Sequence, residues 1–269
     1  MKKSKQTLSL CMAAVLVLFV CTVAFHAFAF NEEPLHNEKD YYDFSEYNLA
    51  SSFSEDSPYG GNNNALLEGG DASMSTAYFA RWDGPVNEVS DPYPTDFSDI
   101  ENMKYTDYPY VLPIKNVFNY SNNLSDLKAA LMKHGALYVS FSFNDNSSEP
   151  NYYTSVMDYL NAPYGHAVTM VGWDDNYPRE NFNVKPPRDG AIICKNSWGP
   201  YSGDDGYIYI SYCDAIFNIE ASNFSSFIGY DSAPDYNKIY QYDECGMTSD
   251  CFKSYDEIEY IANVFPEEG

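Results

Sequence analysis

The pattern of apolar and polar positions divides the chain into an apolar start, a polar first half and a strand-rich second half. A continuous apolar run extends from about Leu8 to Phe25, and polar, loop-like sequence follows from Phe30 to about Asp71. Within this polar stretch, residues 43–46 (DFSE) predict the start of a short helix over Tyr47 to Ser51. The first half therefore carries few regular elements.

A second helix is predicted after the glycine-rich segment that ends at Gly70. Apolar residues recur there at spacings of three and four, as one face of a helix requires: Met74, Ala77, Tyr78 and Trp82. The pair Gly84-Pro85 stops this pattern. Four prolines between residues 92 and 113 then predict an extended connection, and we place a lobe boundary there.

The second half of the chain predicts one more helix and several strands. Residues 125–135 (SDLKAALMKHG) predict a helix in which Ser125 accepts from the first-turn amides and Gly135 takes the left-handed terminal position. Runs of β-branched and aromatic residues predict strands at Ala136 to Phe143, Ala167 to Trp173, Ala191 to Lys195 and Tyr207 to Tyr212. The sequence thus predicts an α+β fold whose second half is mostly antiparallel sheet.

The charge of the chain excludes two classes of partner. Its 269 residues carry 15 Lys and Arg against 39 Asp and Glu, a formal net charge of -24. Phosphate backbones and anionic lipid surfaces repel such a protein, so neither nucleic acid nor a membrane surface is an expected partner. The apolar fraction of 45% supplies enough surface for a folded core, which argues against disorder.

The first 29 residues have the three parts of a secretory signal. Three lysines precede the apolar run, and Ala27-Phe28-Ala29 places small residues at both positions of a cleavage site. We expect cleavage after Ala29 and a secreted, extracellular protein. The apolar run is also near the length that spans a bilayer, so an uncleaved membrane anchor is the alternative.

Six cysteines become four when the predicted signal is removed with two of them. Cys245 and Cys251 lie close together in a polar segment, and we expect either a disulfide between them or free surface thiols. Cys194 and Cys213 lie in strand-like runs and are expected to be small buried hydrophobic residues. The sequence has no CxxC pair and no HExxH segment, so no metal site is expected.

Two segments of the second half carry the residue types of a base and its orienting partner. Residues 165–173 (GHAVTMVGW) place His166 at the start of one strand, and residues 195–199 (KNSWG) place Asn196 at the end of another. A neutral imidazole can accept a proton from a nucleophile, while an amide oxygen holds the other ring nitrogen in one tautomer. The indole of Trp198 beside such a pair would exclude water and strengthen the hydrogen bond.

In this order and spacing, the two segments resemble the histidine and asparagine motifs of papain-family cysteine peptidases. Residues 43–50 (DFSEYNLA) resemble the segment that follows the nucleophile helix of that family. Residues 68–85 (EGGDASMSTAYFARWDGP) resemble the glycine-pair segment and helix of secreted bacterial members, and residues 125–141 (SDLKAALMKHGALYVSF) resemble the helix-strand unit before the histidine. The resemblance implies a papain-like fold with a helical first lobe and a β-barrel-like second lobe.

The resemblance also implies roles for individual residues. His166 is implied as the general base and ion-pair partner of the nucleophile, Asn196 as its orienter, and Trp198 as the shield over their contact. The glycines Gly69, Gly70 and Gly165 are implied as backbone that an extended peptide or protein substrate approaches closely. A satisfied core histidine is the alternative for His166, and an ordinary turn is the alternative for Gly69-Gly70. No cofactor is expected.

The nucleophile of the family is not found in the expected place. The family's nucleophilic cysteine begins a long helix, within a Gln-rich, Gly-Ser-Cys-Trp-like stretch upstream of every segment matched above. Residues 30–42, between the predicted cleavage point and Asp43, contain neither cysteine nor glutamine. Cys194 lies two residues before Asn196, about 7 Å along the strand, on the wrong side of the pair and without a helix N-terminus to lower its pKa. We therefore expect an incomplete first lobe that lacks both the nucleophile and the oxyanion-stabilising glutamine.

The expected organisation has four parts. These are a signal peptide at 1–29, a remnant of the helical lobe at 30–110, a β-rich lobe with the histidine and asparagine motifs at 111–230, and a connector at 231–269. Residues 237–246 (NKIYQYDECG) in the last part resemble the connector that leads to a lectin-like domain in bacterial members. We expect that domain to be absent here.

Two functions stay open from the sequence. The first is a secreted cysteine peptidase domain that is inactive alone and hydrolyses peptide bonds if a complementary chain supplies the nucleophile helix. The alternative is a catalytically inactive extracellular protein that binds peptides by strand addition, or a truncated gene remnant. The oligomeric state is not predicted.

Overall fold

The computed structural model describes residues 43–54, 57–58, 70–94, 104–143, 149–160, 164–219 and 224–229. Within these ranges lie the α-helices α1 (Glu46–Ser51), α2 (Ala72–Ala80), α3 (Leu124–His134) and α4 (Val156–Tyr159), and short 3-10 helices at Arg179–Asn181 and Ala215–Phe217. None of the helices in the described ranges has the length and apolar character that crossing a bilayer requires.

Side-chain caps determine where the first two helices begin. At the start of α1 the Ser45 hydroxyl accepts a hydrogen bond from the Asn48 amide, and at the start of α2 Asp71 accepts from the amides of Ser73 and Met74. These bonds satisfy first-turn amides that have no partner within the helix. Both predicted helices are confirmed, and α1 begins one residue earlier than expected.

The buried side chain of Asn48 joins α1 to α2 and to the following loops. It accepts from the Tyr78 hydroxyl at 2.7 Å, and it donates to Asp91 Oδ2 at 2.8 Å and to the Thr106 carbonyl at 3.0 Å. A buried amide that lost these partners would cost free energy, so the network fixes α2 against α1. The contact lies near the C-terminal end of α2, whose other end follows Gly70.

Seven strands form one sheet in the order β1-β7-β2-β4-β5-β6-β3. They are β1 (Ile114–Tyr120), β2 (Leu137–Phe143), β3 (Asn151–Tyr152), β4 (Tyr164–Asp174), β5 (Ala191–Lys195), β6 (Tyr207–Ser211) and β7 (Phe224–Gly229). All neighbours pair antiparallel except β3 and β6, which are parallel. The predicted α+β fold with a mostly antiparallel second half is therefore confirmed.

The centre of the sheet is the core of the molecule. Every side chain of β2 except Ser140 is buried, although its sequence alternates between large and small residues. Helix α3 packs against β4 and β7 and buries Leu127 and Ala130. A strand that is buried on both faces has no exposed side, so alternating residues along it do not separate buried from exposed positions.

The start of α3 differs from the sequence prediction. Its cap is Asn123, whose Oδ1 accepts from the amides of Ser125 and Asp126 at 2.9 and 3.3 Å. The assignment of Ser125 as the cap was wrong, because the helix already begins at Leu124 and Ser125 lies inside its first turn. At the other end Gly135 has a positive φ of 82°, but its ψ of -158° lies outside the predicted left-handed helical conformation; its amide donates to the Leu131 carbonyl.

Strands β1, β3 and β7 were not predicted. The sequences of β1 (IKNVFNY) and β7 (FSSFIG) place Asn and Ser among apolar residues, which gives no regular period. They pair with each other, with Val117 opposite Phe227 and Asn119 opposite Ser225, and the Ser225 hydroxyl donates to Asn119 Oδ1 at 2.7 Å. Cross-strand pairing stabilises such polar strands, and a single strand's sequence does not reveal its partner.

Candidate active site

Antiparallel pairing of β4 and β5 brings His166 and Asn196 together. Thr169 of β4 lies opposite Lys195 of β5. His166 lies three residues before that pair and Asn196 one residue after it, so both extend toward the same end of the two strands. His166 Nε2 and Asn196 Oδ1 are 3.1 Å apart, and the residues are only 2% and 4% exposed.

The orientation of the Asn196 amide fixes the tautomer of the histidine. The backbone amide of Ser197 donates to Asn196 Oδ1 at 2.8 Å, which identifies this atom as the acceptor oxygen. His166 Nε2 must then donate to the same oxygen and carry the proton in the neutral ring. The basic lone pair of the neutral imidazole therefore resides on Nδ1.

A glycine-rich turn holds Asn196 at the end of β5. The backbone N–H of Asn196 donates to the Gly206 carbonyl at 2.9 Å, and the backbone N–H of Gly206 donates to the Ser202 carbonyl at 2.8 Å. Gly199, Gly203 and Gly206 all have positive φ, at 72°, 61° and 83°. Glycine adopts this backbone without the steric cost that a side chain would impose.

The Trp198 indole covers the histidine ring. The two rings stack with centroids 4.5 Å apart and an interplanar angle of 23°. This is the position that the sequence prediction gave to a shield over the His166–Asn196 contact. The stacked indole keeps solvent from one face of the imidazole and lowers the local polarity around the hydrogen bond.

Burial sets the protonation state of His166. Desolvation lowers the pKa of His166 from 6.5 to about 4, while the hydrogen bond with Asn196 acts in the opposite direction. Desolvation is the larger cause because the charged ring would lose its hydration. The ring is therefore neutral near pH 7, which is the state in which an imidazole can accept a proton.

The sequence matches the family model described as papain family cysteine protease over residues 21–227, well over half of the chain. The chain belongs to the papain family of cysteine proteases. The match includes both segments of the His166–Asn196 pair. It also begins at Cys21, inside the segment predicted as a signal peptide. No curated protein matches the chain.

Solved structures of the papain family share this fold. The chain is 25% identical, with a TM-score of 0.67, to the cysteine protease and lectin-like domains of Cwp84, a surface layer associated protein of Clostridium difficile, and the match covers 86% of this chain and 50% of that one. A second structure, clostridial Cwp84 after propeptide cleavage, gives 24% identity and a TM-score of 0.64, with coverages of 80% and 52%. Bromelain from Ananas comosus with a bound inhibitor gives 16% identity and a TM-score of 0.50 over 81% and 89%. The chain spans about half the length of the two Cwp84 chains it matches.

The predicted substrate-binding glycines lie in different surroundings. Gly165 is exposed beside His166, and a Cβ built on it would meet only the Phe141 carbonyl, at 4.0 Å. Gly70 is half-buried and directly precedes Asp71, the cap of α2. Gly69 lies outside the described residues. The fold does not itself require a glycine at 165, so the open backbone there is available to a ligand.

The described cysteines are unsuited to act as nucleophile for His166. Cys194 is fully buried in β5, opposite Met170 and Ile208, and burial raises the pKa of its thiol well above the ordinary value. Cys213 is half-buried in the turn after β6 rather than in a strand, and both thiols are free. Cys245 and Cys251, the predicted disulfide, lie outside the described residues. His, Cys, Asp and Glu residues in the described ranges form no group that could hold a metal ion.

Sequence reasoning missed two aromatic residues at the histidine. Phe141 lies directly opposite His166 on β2, and Phe143 lies two residues further along the same strand. Their ring centroids are 5.7 and 5.2 Å from that of His166. The alternating sequence of β2 placed them on one face, but the register that puts this face against His166 depends on the pairing of β2 with β4.

Proposed function

We propose that this chain is a secreted cysteine peptidase domain in which His166 is the general base and Asn196 its orienter. Its hydrolysis of peptide bonds depends on a thiolate from outside the described residues. The observation that supports this best is the buried His166–Asn196 hydrogen bond under Trp198, in a chain of the papain family. Secretion is inferred from residues 1–29, and the surface layer association of Cwp84 is consistent with it.

On this proposal, His166 Nδ1 carries the proton in both steps of the reaction. His166 Nδ1 takes the thiol proton, and the thiolate attacks the carbonyl carbon of the peptide bond. The imidazolium then gives this proton to the departing amine, which leaves an acyl-enzyme. Water next attacks the acyl group while Nδ1 takes a proton from it and returns that proton to the thiolate. Asn196 keeps the ring in one orientation during both steps.

Two sources of the thiolate are compatible with the sequence. Cys21 is the first residue of the family match, and a chain that keeps it would carry a thiol upstream of α1 as the candidate source. A chain cleaved after Ala29 has lost Cys21 and needs a complementary chain that carries the nucleophile helix. On this proposal, the position of cleavage decides whether the domain keeps an upstream thiol of its own.

The second candidate function is peptide binding without catalysis. It is favoured by the two described cysteines, because Cys194 is buried with a raised pKa and Cys213 lies in the turn beyond β6. In that case an extended peptide would bind along the open backbone at Gly165 and Gly70. Binding by main-chain hydrogen bonds needs no nucleophile.

Labelling with an epoxide or vinyl-sulfone probe separates these functions. The exported protein is purified, its N-terminus is sequenced, and the probe is mapped on it, on the chain from Met1 and on the chain from Phe30. Modification of Cys21 that disappears in His166→Ala but persists in His134→Ala supports a peptidase with its own thiolate. Peptidase activity that appears in the chain from Phe30 only after a synthetic peptide of residues 17–42 is added supports complementation.

Two results would contradict this proposal, the first its peptidase activity and the second its source of the thiolate. One is the absence of any modified thiol, with or without the added peptide, under conditions that label papain, in which case the binding function remains. The other is His166-dependent modification of Cys194 or Cys213, which would relocate the nucleophile. A Cys213→Ser variant controls for nonspecific labelling of the more accessible of the two described thiols.

A further inference from the structure

The register of two neighbouring strands places Phe143 beside the histidine. In the antiparallel pair of β2 and β4, Phe141 is opposite His166 and Phe143 is opposite Tyr164. Residues two apart on a strand share a face, so Phe143 is the diagonal neighbour of His166. The side chains of Phe141 and Phe143 are both buried, at 1% exposure.

Phe143 contacts both rings of the candidate site. Its centroid is 5.2 Å from that of His166 with an interplanar angle of 55°, and 5.3 Å from that of Trp198 with an angle of 76°. Phe141 contacts only the first of these, at 5.7 Å and 60°. Three aromatic rings thus surround the imidazole, and Phe143 links the strand on one side of it to the stacked indole on the other.

We propose that Phe143 is a positioning residue that closes the aromatic enclosure of His166 and keeps water from the His166–Asn196 hydrogen bond. Trp198 covers one face of the imidazole by stacking, and it is itself only half-buried. Its edge contact with Phe143 holds the indole in that stack. Without the Phe143 ring, Trp198 loses this support and water reaches the hydrogen bond.

The proposal rests on the assignment of His166 as the base, but its physical content does not require a nucleophile. The causes that set the protonation of His166 are burial, the larger, and the hydrogen bond with Asn196, with no described charged group among them. A residue that controls access of water therefore controls the proton affinity of the ring. A residue that only fills volume in the core does not control the proton affinity of the ring.

A pair of Phe→Leu variants tests this difference. Phe143→Leu and Phe182→Leu both remove a ring from a buried position, but Phe182 packs against Tyr177, at 5.7 Å, away from His166. The titration of His166 is followed by NMR and assigned with His166→Gln. We expect Phe143→Leu to raise the proton affinity of His166 about tenfold or more, while Phe182→Leu leaves it unchanged.

The proposal is wrong if folded Phe143→Leu titrates like the wild type, or if Phe182→Leu shifts the titration equally. Should Phe143→Leu fail to fold, Phe143→Met preserves volume without the ring and is expected to give the same direction of change; an unchanged titration in that variant equally overturns the proposal. Phe143→Tyr keeps the ring and should restore the wild-type titration. Because all these titrations are read without a substrate, failure of the proposal is separate from failure of the peptidase assignment, which the labelling experiment decides.

Discussion

Acidification should destabilise the folded protein through His166 over a defined range of pH. The ordinary pKa of the imidazole, 6.5, applies in the unfolded chain, whereas burial lowers the pKa of folded His166 to about 4. Between these values the unfolded chain binds a proton that the folded protein does not. The stability that neutral His166 contributes is therefore fully present above pH 6.5 and is lost as the pH falls toward 4.

The magnitude follows from the interval between the two pKa values. At 1.36 kcal/mol for each unit, the interval corresponds to about 3 kcal/mol. The side chain is only 2% exposed, so solvent screening does not reduce this figure substantially. A loss of this size is a large part of the roughly 5–15 kcal/mol that a folded domain has.

Urea unfolding of the wild type and of His166→Gln measures this contribution. Each protein is unfolded at about pH 7.5 and about pH 4.5, with tryptophan fluorescence as the signal. Asp214 acts in the opposite direction, because burial raises its pKa to about 7 and its ionisation costs stability as the pH rises from 3.8 toward 7. The difference between the two proteins cancels that effect, since both contain Asp214.

The wild type should lose about 2–3 kcal/mol more than His166→Gln between the two pH values. His134→Gln is the matched control, because this histidine lies on the half-buried end of α3. An equal loss in the wild type and in His166→Gln would refute the assignment of a buried neutral imidazole. A smaller loss in His134→Gln than in His166→Gln would place the effect at His134 instead.

Three further variants test the rest of the site. Asn196→Ala leaves a buried His166 N–H without its acceptor, so it should cost about 1–3 kcal/mol in urea unfolding and lower the His166 pKa further; a raised pKa would contradict this. Gly206→Ala should cost about 1–2 kcal/mol, because φ is 83° and the new Cβ would meet the Gly199 carbonyl at 3.0 Å; an unchanged unfolding midpoint would argue against the turn as the support of Asn196. Cys194→Ala should cost about 1 kcal/mol and leave probe labelling unchanged, and lost labelling would reassign Cys194 as the nucleophile.

Local signals in the sequence were sufficient for most of the regular elements. Caps and helical spacing act within a few residues, so the helices Glu46–Ser51 and Ala72–Ala80 could be predicted without tertiary information. The same is true of the central strands, whose apolar runs are long and bounded by turn residues. The motifs around His166 and Asn196 were recognisable for a similar reason, because their residue types and order are themselves the signal.

Other elements depended on contacts between distant segments. Strand β1 and strand β7 carry polar residues that become regular only when they pair with each other, across more than a hundred residues of chain. The choice of Asn123 over Ser125 as a cap depended on where α3 begins when it packs on the sheet. Sequence patterns do not reveal these outcomes, because each strand pairing and the start of α3 depend on a partner elsewhere in the chain.

The sequence by itself determined the residue types of the site: an imidazole, an amide and an indole in papain-family order. Only the tertiary structure decided that Asn196 accepts from His166 Nε2, that Phe141 and Phe143 face the same ring, and that the pKa of His166 falls to about 4. The physical reason is that hydrogen-bond geometry and desolvation depend on distances between strands. Those distances are fixed by the register of β2, β4 and β5, which no single segment specifies.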